Sequence, residues 1–169
     1  MYENKEIIIY IYMNQQIRCS MFSDMLNMIQ GKSSVEVPEN IVDKIREYIV
    51  EPDTCTAHDV WKVMRKLHTF KYQDEIYIIA HRINKQPFQT LPLELETNIK
   101  QMFEDVVRVW PILFKNSSFL AHSYILYRLL EINNRHDLIT SMNIKLSSEN
   151  KVDVAWQEVC KHLEWDFHH

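Results

Sequence analysis

Apolar residues recur every three to four positions through most of the chain, which is the spacing of a helix with one buried face. Prolines, polar runs and one glycine interrupt this pattern and divide the chain into separate helical segments. In each segment the apolar stripe is expected to face a common core. In chain order the inward positions are Phe22, Leu26 and Ile29; Ile41, Ile45, Tyr48 and Ile49; Val60, Met64 and Leu67; Ile76, Ile79, Ala80 and Ile83; Leu95, Ile99, Met102, Phe103, Val106 and Trp110; and Val152, Trp156, Val159 and Leu163.

Residues that start and stop helices lie at the ends of these stripes. Gly31 follows the first stripe, where a glycine commonly terminates a helix. Pro38 precedes the second stripe, and proline is favourable in a first helical turn. Thr54 or Thr56 can cap the third helix, and Asp59 follows Thr56 by three residues, which is close to a capping box. Pro111 is expected to kink or end the long fifth helix.

The C-terminal part of the sequence predicts three further helices. The segment Phe119–Ile132 is apolar nearly all round, which is typical of the central helix of a bundle. Ser117 or Ser118 can cap its start. A short seventh helix is predicted over His136–Met142, and Ser148 is expected to open the last helix.

One segment departs from the helical pattern. Ile7–Tyr12 is β-branched and aromatic at both odd and even positions, which predicts a short strand or a strand edge that needs a partner. We therefore predict an all-α, compact single-domain bundle of seven or eight helices with a short N-terminal strand. In this prediction, residues 1–14 form a strand-like extension and residues 15–169 form the helical domain.

Composition excludes several kinds of functional site. The chain has 169 residues, 46% of them hydrophobic, and a single glycine. Glycine-rich phosphate loops and dinucleotide-binding turns need more than one glycine, so neither is expected. The apolar run Ile7–Met13 is too short to span a bilayer, and no secretory signal is visible.

No pattern of catalytic or metal-binding residues stands out. Cys19, Cys55 and Cys160 are widely spaced and form no paired motif, which fits a reducing compartment and predicts no zinc site. The histidines are scattered over different predicted helices. We expect no enzyme activity, no metal and no cofactor.

Charge is distributed unevenly along the chain. The whole chain carries a formal net charge of −4, yet residues 61–85 contain six basic and two acidic residues. A solvated helix face is the simpler interpretation, and contact with a phosphate backbone or an acidic protein is the functional one. The candidate contact residues are Lys62, Arg65, Lys66, Lys71, Arg82 and Lys85.

Several motifs together resemble one protein family. Individually they are degenerate, and their order and spacing over residues 20–167 carry the resemblance. The motifs are Phe22-Ser-Asp-Met-Leu26, Gln30-Gly31-Lys32, Val37-Pro38-Glu39, Leu91-Pro92-x-Glu94-Leu95-Glu96, Met102-Phe103, Lys115-Asn116-Ser117-Ser118-Phe119-Leu120, Ser123-Tyr124-Ile125-Leu126-Tyr127 and Trp156-x-x-Val159-Cys160-x-x-Leu163-x-Trp165-x-Phe167. This arrangement resembles the poxvirus-type late transcription factor 3-like family of the large nucleocytoplasmic DNA viruses.

The resemblance implies a role in transcription of late viral genes, together with the viral RNA polymerase, other late transcription factors and promoter DNA. It also implies a location in the host cytoplasm, in the viral factory, with the virion as an alternative, and no association with a membrane. Many members carry an N-terminal zinc ribbon with paired cysteines, which this chain lacks. The chain therefore resembles the helical C-terminal domain of the family. The resemblance does not imply zinc-dependent DNA contact for this chain.

Two other classes of function remain open at this point. A viral helix bundle that captures a host protein would have similar size and helical content, and would need an exposed apolar groove. A helical enzyme has less support, because it would need several histidines or carboxylates around one cavity.

Overall fold

The described part of the chain is helical, as predicted. The computed structural model describes residues 3–115, 117–142, 144 and 150–167, and within them it contains eight α-helices and no strand. None of these helices combines the length and the apolar character needed to cross a bilayer. The helices are α1 (Glu3–Ile29), α2 (Glu39–Arg46), α3 (Ala57–Lys66), α4 (Ile76–Asn84), α5 (Leu93–Leu113), α6 (His122–Ile132), α7 (His136–Ser141) and α8 (Asn150–Leu163).

The predicted N-terminal strand is wrong, because Ile7–Tyr12 lies inside α1. A helix satisfies its backbone hydrogen bonds within the segment, whereas a lone strand leaves them unpaired. The helix propensity of isoleucine is only a few tenths of a kcal/mol below that of leucine, so continuity with the following helix outweighs it. A β-branched run is therefore weak evidence for a strand when no second strand exists to pair with it.

Two of the predicted helix boundaries are confirmed in atomic detail. The Thr56 hydroxyl accepts a hydrogen bond from the Asp59 backbone N–H at 3.2 Å, and the Asp59 carboxylate accepts one from the Thr56 backbone N–H at 3.1 Å. Gly31 follows α1 with φ +69°, a left-handed conformation that favours glycine. A Cβ at Gly31 would lie 2.5 Å from the ring of Phe88, so both conformation and space require glycine there.

The start of the sixth helix differs from the prediction. The sixth helix begins at His122, and neither Ser117 nor Ser118 caps it. Phe119, three residues before the start of α6, packs edge-on against Trp110, with 5.2 Å between ring centroids. Pro111 lies within α5, which ends two residues later. The predicted opening of the last helix at Ser148 falls outside the described residues.

The helices form two compact units. The first unit contains α1 up to Met25 and the described residues from Leu91 onward, and the second contains Leu26–Thr90. In the first unit, α5 packs against α6 and α8, and α6 also packs against α7. Phe22 and Phe103 stack face to face at its core with 3.8 Å between ring centroids.

The second unit packs α2, α3 and α4 against one another. Its buried core is aliphatic, and it includes one cysteine. Because the apolar side chains of α3 point into this core, the opposite side of α3 is left to solvent. The core residues are Val37, Val42, Ile45, Cys55, Val60, Val63, Met64, Ile79, Ala80 and Ile83.

Candidate functional site

Three of the predicted contact residues share one exposed side of α3. Lys62 and Arg65 are three residues apart and Lys62 and Lys66 are four apart, so all three project from neighbouring positions of the helix surface. Each is exposed, while Val60, Val63 and Met64 of the same helix are buried. We call Lys62, Arg65 and Lys66 the α3 basic face.

Aromatic rings accompany the α3 basic face. The Arg65 guanidinium carbon lies 4.7 Å from the ring centre of Trp61, and the Lys66 ammonium nitrogen lies 5.1 Å from that of Tyr48. The His58 ring is nearly parallel to Trp61, with 6.2 Å between centroids and 13° between planes. Trp61 and Tyr48 are 36% and 44% exposed, so both rings are accessible from solvent.

The α3 basic face is little neutralised by acidic side chains. Lys62 lies 3.9 Å from Asp59, and this exposed pair is worth at most about 1 kcal/mol. Among the described residues, Arg65 and Lys66 form no ion pair. Their positive charge is therefore available to an external anionic group.

The other predicted contact residues have different surroundings. Lys71 is exposed, and its ammonium nitrogen lies 5.3 Å from the centre of the Tyr72 ring. Lys85 is exposed and follows α4 in a left-handed conformation with φ 56°. Arg82 is half-buried, where it pairs with Glu39 and donates to the Val37 carbonyl.

The contacts of Arg82 give it a structural role within the second unit. Its two partners lie 43 and 45 residues away along the chain, so the side chain links α4 to the start of α2. A guanidinium held in this way has fewer free donors for an external anion. The structure thus groups three of the six predicted residues on α3 and places Arg82 in a different environment.

The arrangement on α3 suits the binding of anionic groups. Lysine and arginine side chains in water attract phosphate or carboxylate groups, and exposed aromatic rings add flat apolar area. Among the described residues, no group of three His, Cys, Asp or Glu side chains is placed to hold a metal ion.

Sequence reasoning did not single out Trp61 as part of the site. Its exposure could have been predicted from its position, one residue after the inward Val60. Adjacent helical residues are about 100° apart around the axis, so Trp61 leaves the helix away from the core. Tyr48 was assigned to the inward stripe of the second helix, yet it is 44% exposed and lies just after the end of α2. That helix is one turn shorter than its apolar stripe suggested.

The described residues form an all-helical fold with an exposed basic face on one helix. Comparison with known sequences identifies the family. Residues 11–167 match the family described as Poxvirus Late Transcription Factor VLTF3 like. The chain belongs to this family, as the motif order predicted.

Two curated relatives have names of the same kind. The candidate transcription factor A494R of Paramecium bursaria Chlorella virus 1 is 29% identical over 161 residues, covering 89% of this chain and 44% of the relative. The candidate transcription factor R430 of Acanthamoeba polyphaga mimivirus is 22% identical over 160 residues, covering 89% of this chain and 62% of the relative. The chain thus spans about half the length of these relatives. No solved structure matches it.

Proposed function

We propose that this protein is a viral late transcription factor that acts together with the RNA polymerase of its virus, without catalysing a reaction itself. Membership of the late transcription factor family over residues 11–167 carries the proposal. In this role the protein works by binding other macromolecules, which are the polymerase, other late transcription factors and promoter DNA. Its place of action is the viral factory in the host cytoplasm.

The α3 basic face is the proposed contact surface. It presents three exposed cations within about one helical turn, next to the exposed Trp61 ring. The surface suits the phosphates of DNA or an acidic region of a protein. Since the chain as a whole carries a net charge of −4, non-specific DNA binding should be weak. An acidic surface of a protein partner is therefore at least as good a match as DNA.

The experiment is a capture assay from infected cells. The tagged full-length protein, added to an extract of infected cells, should recover subunits of the viral RNA polymerase. The triple variant Lys62→Glu, Arg65→Glu and Lys66→Glu should remain folded, because all three side chains are exposed, and should recover much less polymerase. The matched control reverses three other exposed lysines, Lys44→Glu, Lys151→Glu and Lys161→Glu, and should behave like the parent protein.

A parallel binding assay with late-promoter DNA separates the two kinds of partner. If the α3 basic face contacts phosphates, the triple variant should lower the slope of log affinity against log salt by about three, one for each lost contact. If the face contacts protein, polymerase capture should fall while DNA binding stays the same. Failure to capture polymerase and to bind late-promoter DNA, with the other late factors present, would refute the proposed function.

A further inference from the structure

A pocket of about 350 Å³ lies within the first unit. Residues of α1, the C-terminal end of α5 and the segment that follows α5 line it. Its size is at the lower end of the range of small-molecule sites. The lining residues that bear on its chemistry are Asn14, Gln15, Arg18, Trp110, Phe114 and Lys115.

The charged side chains that line this pocket are both cations. Arg18 and Lys115 contribute positive charge, and no carboxylate is among the described residues that line the pocket. Asn14, Gln15 and Ser117 add polar groups that can donate hydrogen bonds. The pocket therefore offers positive charge and donors to an occupant, which is the pattern that favours an anionic group.

Arg18 is the key side chain. It is half-buried, and burial lowers the pKa of its guanidinium. The guanidinium carbon lies 4.2 Å from the centre of the Phe119 ring, and among the described residues Arg18 has no carboxylate partner and no hydrogen-bond acceptor. A partly buried guanidinium without a hydrogen-bond acceptor is costly, because its N–H groups lose water and the ring contact replaces only part of that loss.

Comparison with the other arginines shows that a partly buried guanidinium without an acidic partner is unusual in this protein. Five arginines among the described residues pair with a carboxylate, and Arg65 lies on the solvent-exposed α3 basic face. Arg18 alone combines partial burial with the lack of an acidic partner in the described part of the chain. The paired arginines are Arg46, Arg82, Arg108, Arg128 and Arg135.

Aromatic rings form an apolar wall of the same pocket. Trp110 and Phe114 both line it, and their ring centroids are 4.4 Å apart at 41° between planes. The indole N–H of Trp110 is buried and has no hydrogen-bond partner among the described residues. The pocket is thus lined by two cations and by two neighbouring aromatic residues.

We propose that this pocket binds a nucleoside phosphate, with the phosphate on Arg18 and Lys115 and the base against the partly exposed ring of Phe114, beside the buried Trp110. A phosphate monoester carries close to two negative charges, which matches the two cations, and arginine binds phosphate through paired N–H groups. Bases stack on aromatic side chains. A free inorganic ion would leave most of the pocket's volume and its aromatic wall unused. This proposal does not depend on the proposed function in transcription.

Calorimetric titration of the full-length protein tests the proposal, with adenosine monophosphate, adenosine and inorganic phosphate as probes. Adenosine monophosphate should bind more tightly than either of its parts. Arg18→Gln should weaken its binding by about tenfold or more, because a charge-assisted hydrogen bond is lost. Arg108→Gln is the matched control, since Arg108 is an exposed arginine of α5 that does not line the pocket, and it should leave binding unchanged.

A conservative variant and a folding measurement keep the outcome clear. Arg18→Lys keeps the charge and should retain part of the affinity, and thermal unfolding should show that Arg18→Gln remains folded. Competition with an oligonucleotide bearing a 5′-phosphate distinguishes the source: displacement of adenosine monophosphate identifies a strand end, and no displacement identifies a free nucleotide. Absence of adenosine monophosphate binding, equal binding by Arg18→Gln, or Arg18-dependent binding of a poly-glutamate peptide alone would overturn the proposal.

Discussion

Arg128 in the first unit and Arg65 in the second are both helical arginines with different surroundings. Arg128 is only 8% exposed, and its guanidinium donates to Glu131 and to Asp153, both at 2.7 Å. Arg65 is exposed, lies over Trp61, and has no acidic partner among the described residues. The first arginine joins helices together, and the second remains open to another molecule.

The difference between Arg128 and Arg65 shows which positive charges of this chain are available to another molecule. The Tyr124 hydroxyl also donates to Asp153, at 2.7 Å, so α6 and α8 share one polar network. Every strong donor in that network has an acceptor, which leaves little to attract a ligand. Arg65 and Lys66 on α3, and Arg18 on α1, lack acidic partners among the described residues and are the better candidates for binding.

The largest expected effect concerns the docking of α8 in the first unit. Trp156 is 1% exposed, and its ring lies edge-on to Tyr124 with 6.2 Å between centroids. Trp156→Ala should lower the free energy of unfolding by about 3–5 kcal/mol, because it removes a large buried ring and leaves a cavity. Urea denaturation followed by circular dichroism measures this. A loss below about 1 kcal/mol would show that α8 is not held mainly by this side chain.

A smaller effect compares the two arginines directly. Arg128→Met should cost about 2–4 kcal/mol, because it leaves Asp153 and Glu131 without their cation in a partly buried place. Arg65→Met is the matched control and should change the free energy of unfolding by no more than about 0.5 kcal/mol, since that side chain is exposed. The same denaturation measurement serves both. Equal losses from the two variants would break the distinction between a structural and an available cation.

The smallest effect is on pH dependence. A hydrogen bond from Tyr124 and the Arg128 guanidinium lower the pKa of Asp153 below its ordinary value of 3.8. The unfolded chain therefore binds this proton more readily, so the network's contribution is present above about pH 4 and is lost as the pH falls through the lowered pKa. Asp153→Asn should flatten the fall in stability below pH 4.

The control for this measurement is Asp166→Asn, which alters an exposed carboxylate outside the network. Unfolding temperatures recorded between pH 2 and pH 7 provide the comparison. If the two variants show the same acid dependence as the parent protein, Asp153 does not couple protonation to the folding of the first unit.

Much of the fold could be predicted from residue spacing. The apolar stripe of α5 and the capping pair Thr56 and Asp59 are local features, fixed by helical geometry within a few residues, and the structure confirms them. The order of the family motifs likewise predicted the family, which the match over residues 11–167 confirms. The prediction of an N-terminal strand was wrong, because the β preference of Ile7–Tyr12 is weak and depends on a pairing strand.

The candidate site was predictable only in part. Sequence spacing alone placed Lys62, Arg65 and Lys66 on one side of a helix, since residues three and four apart are neighbours there. Only the tertiary structure showed that Arg82 is paired with Glu39, 43 residues away, and that Arg18 has no such partner among the residues that the structure describes. Periodicity determines which way a side chain leaves its own helix, whereas packing between distant segments determines whether its charge meets an opposite charge.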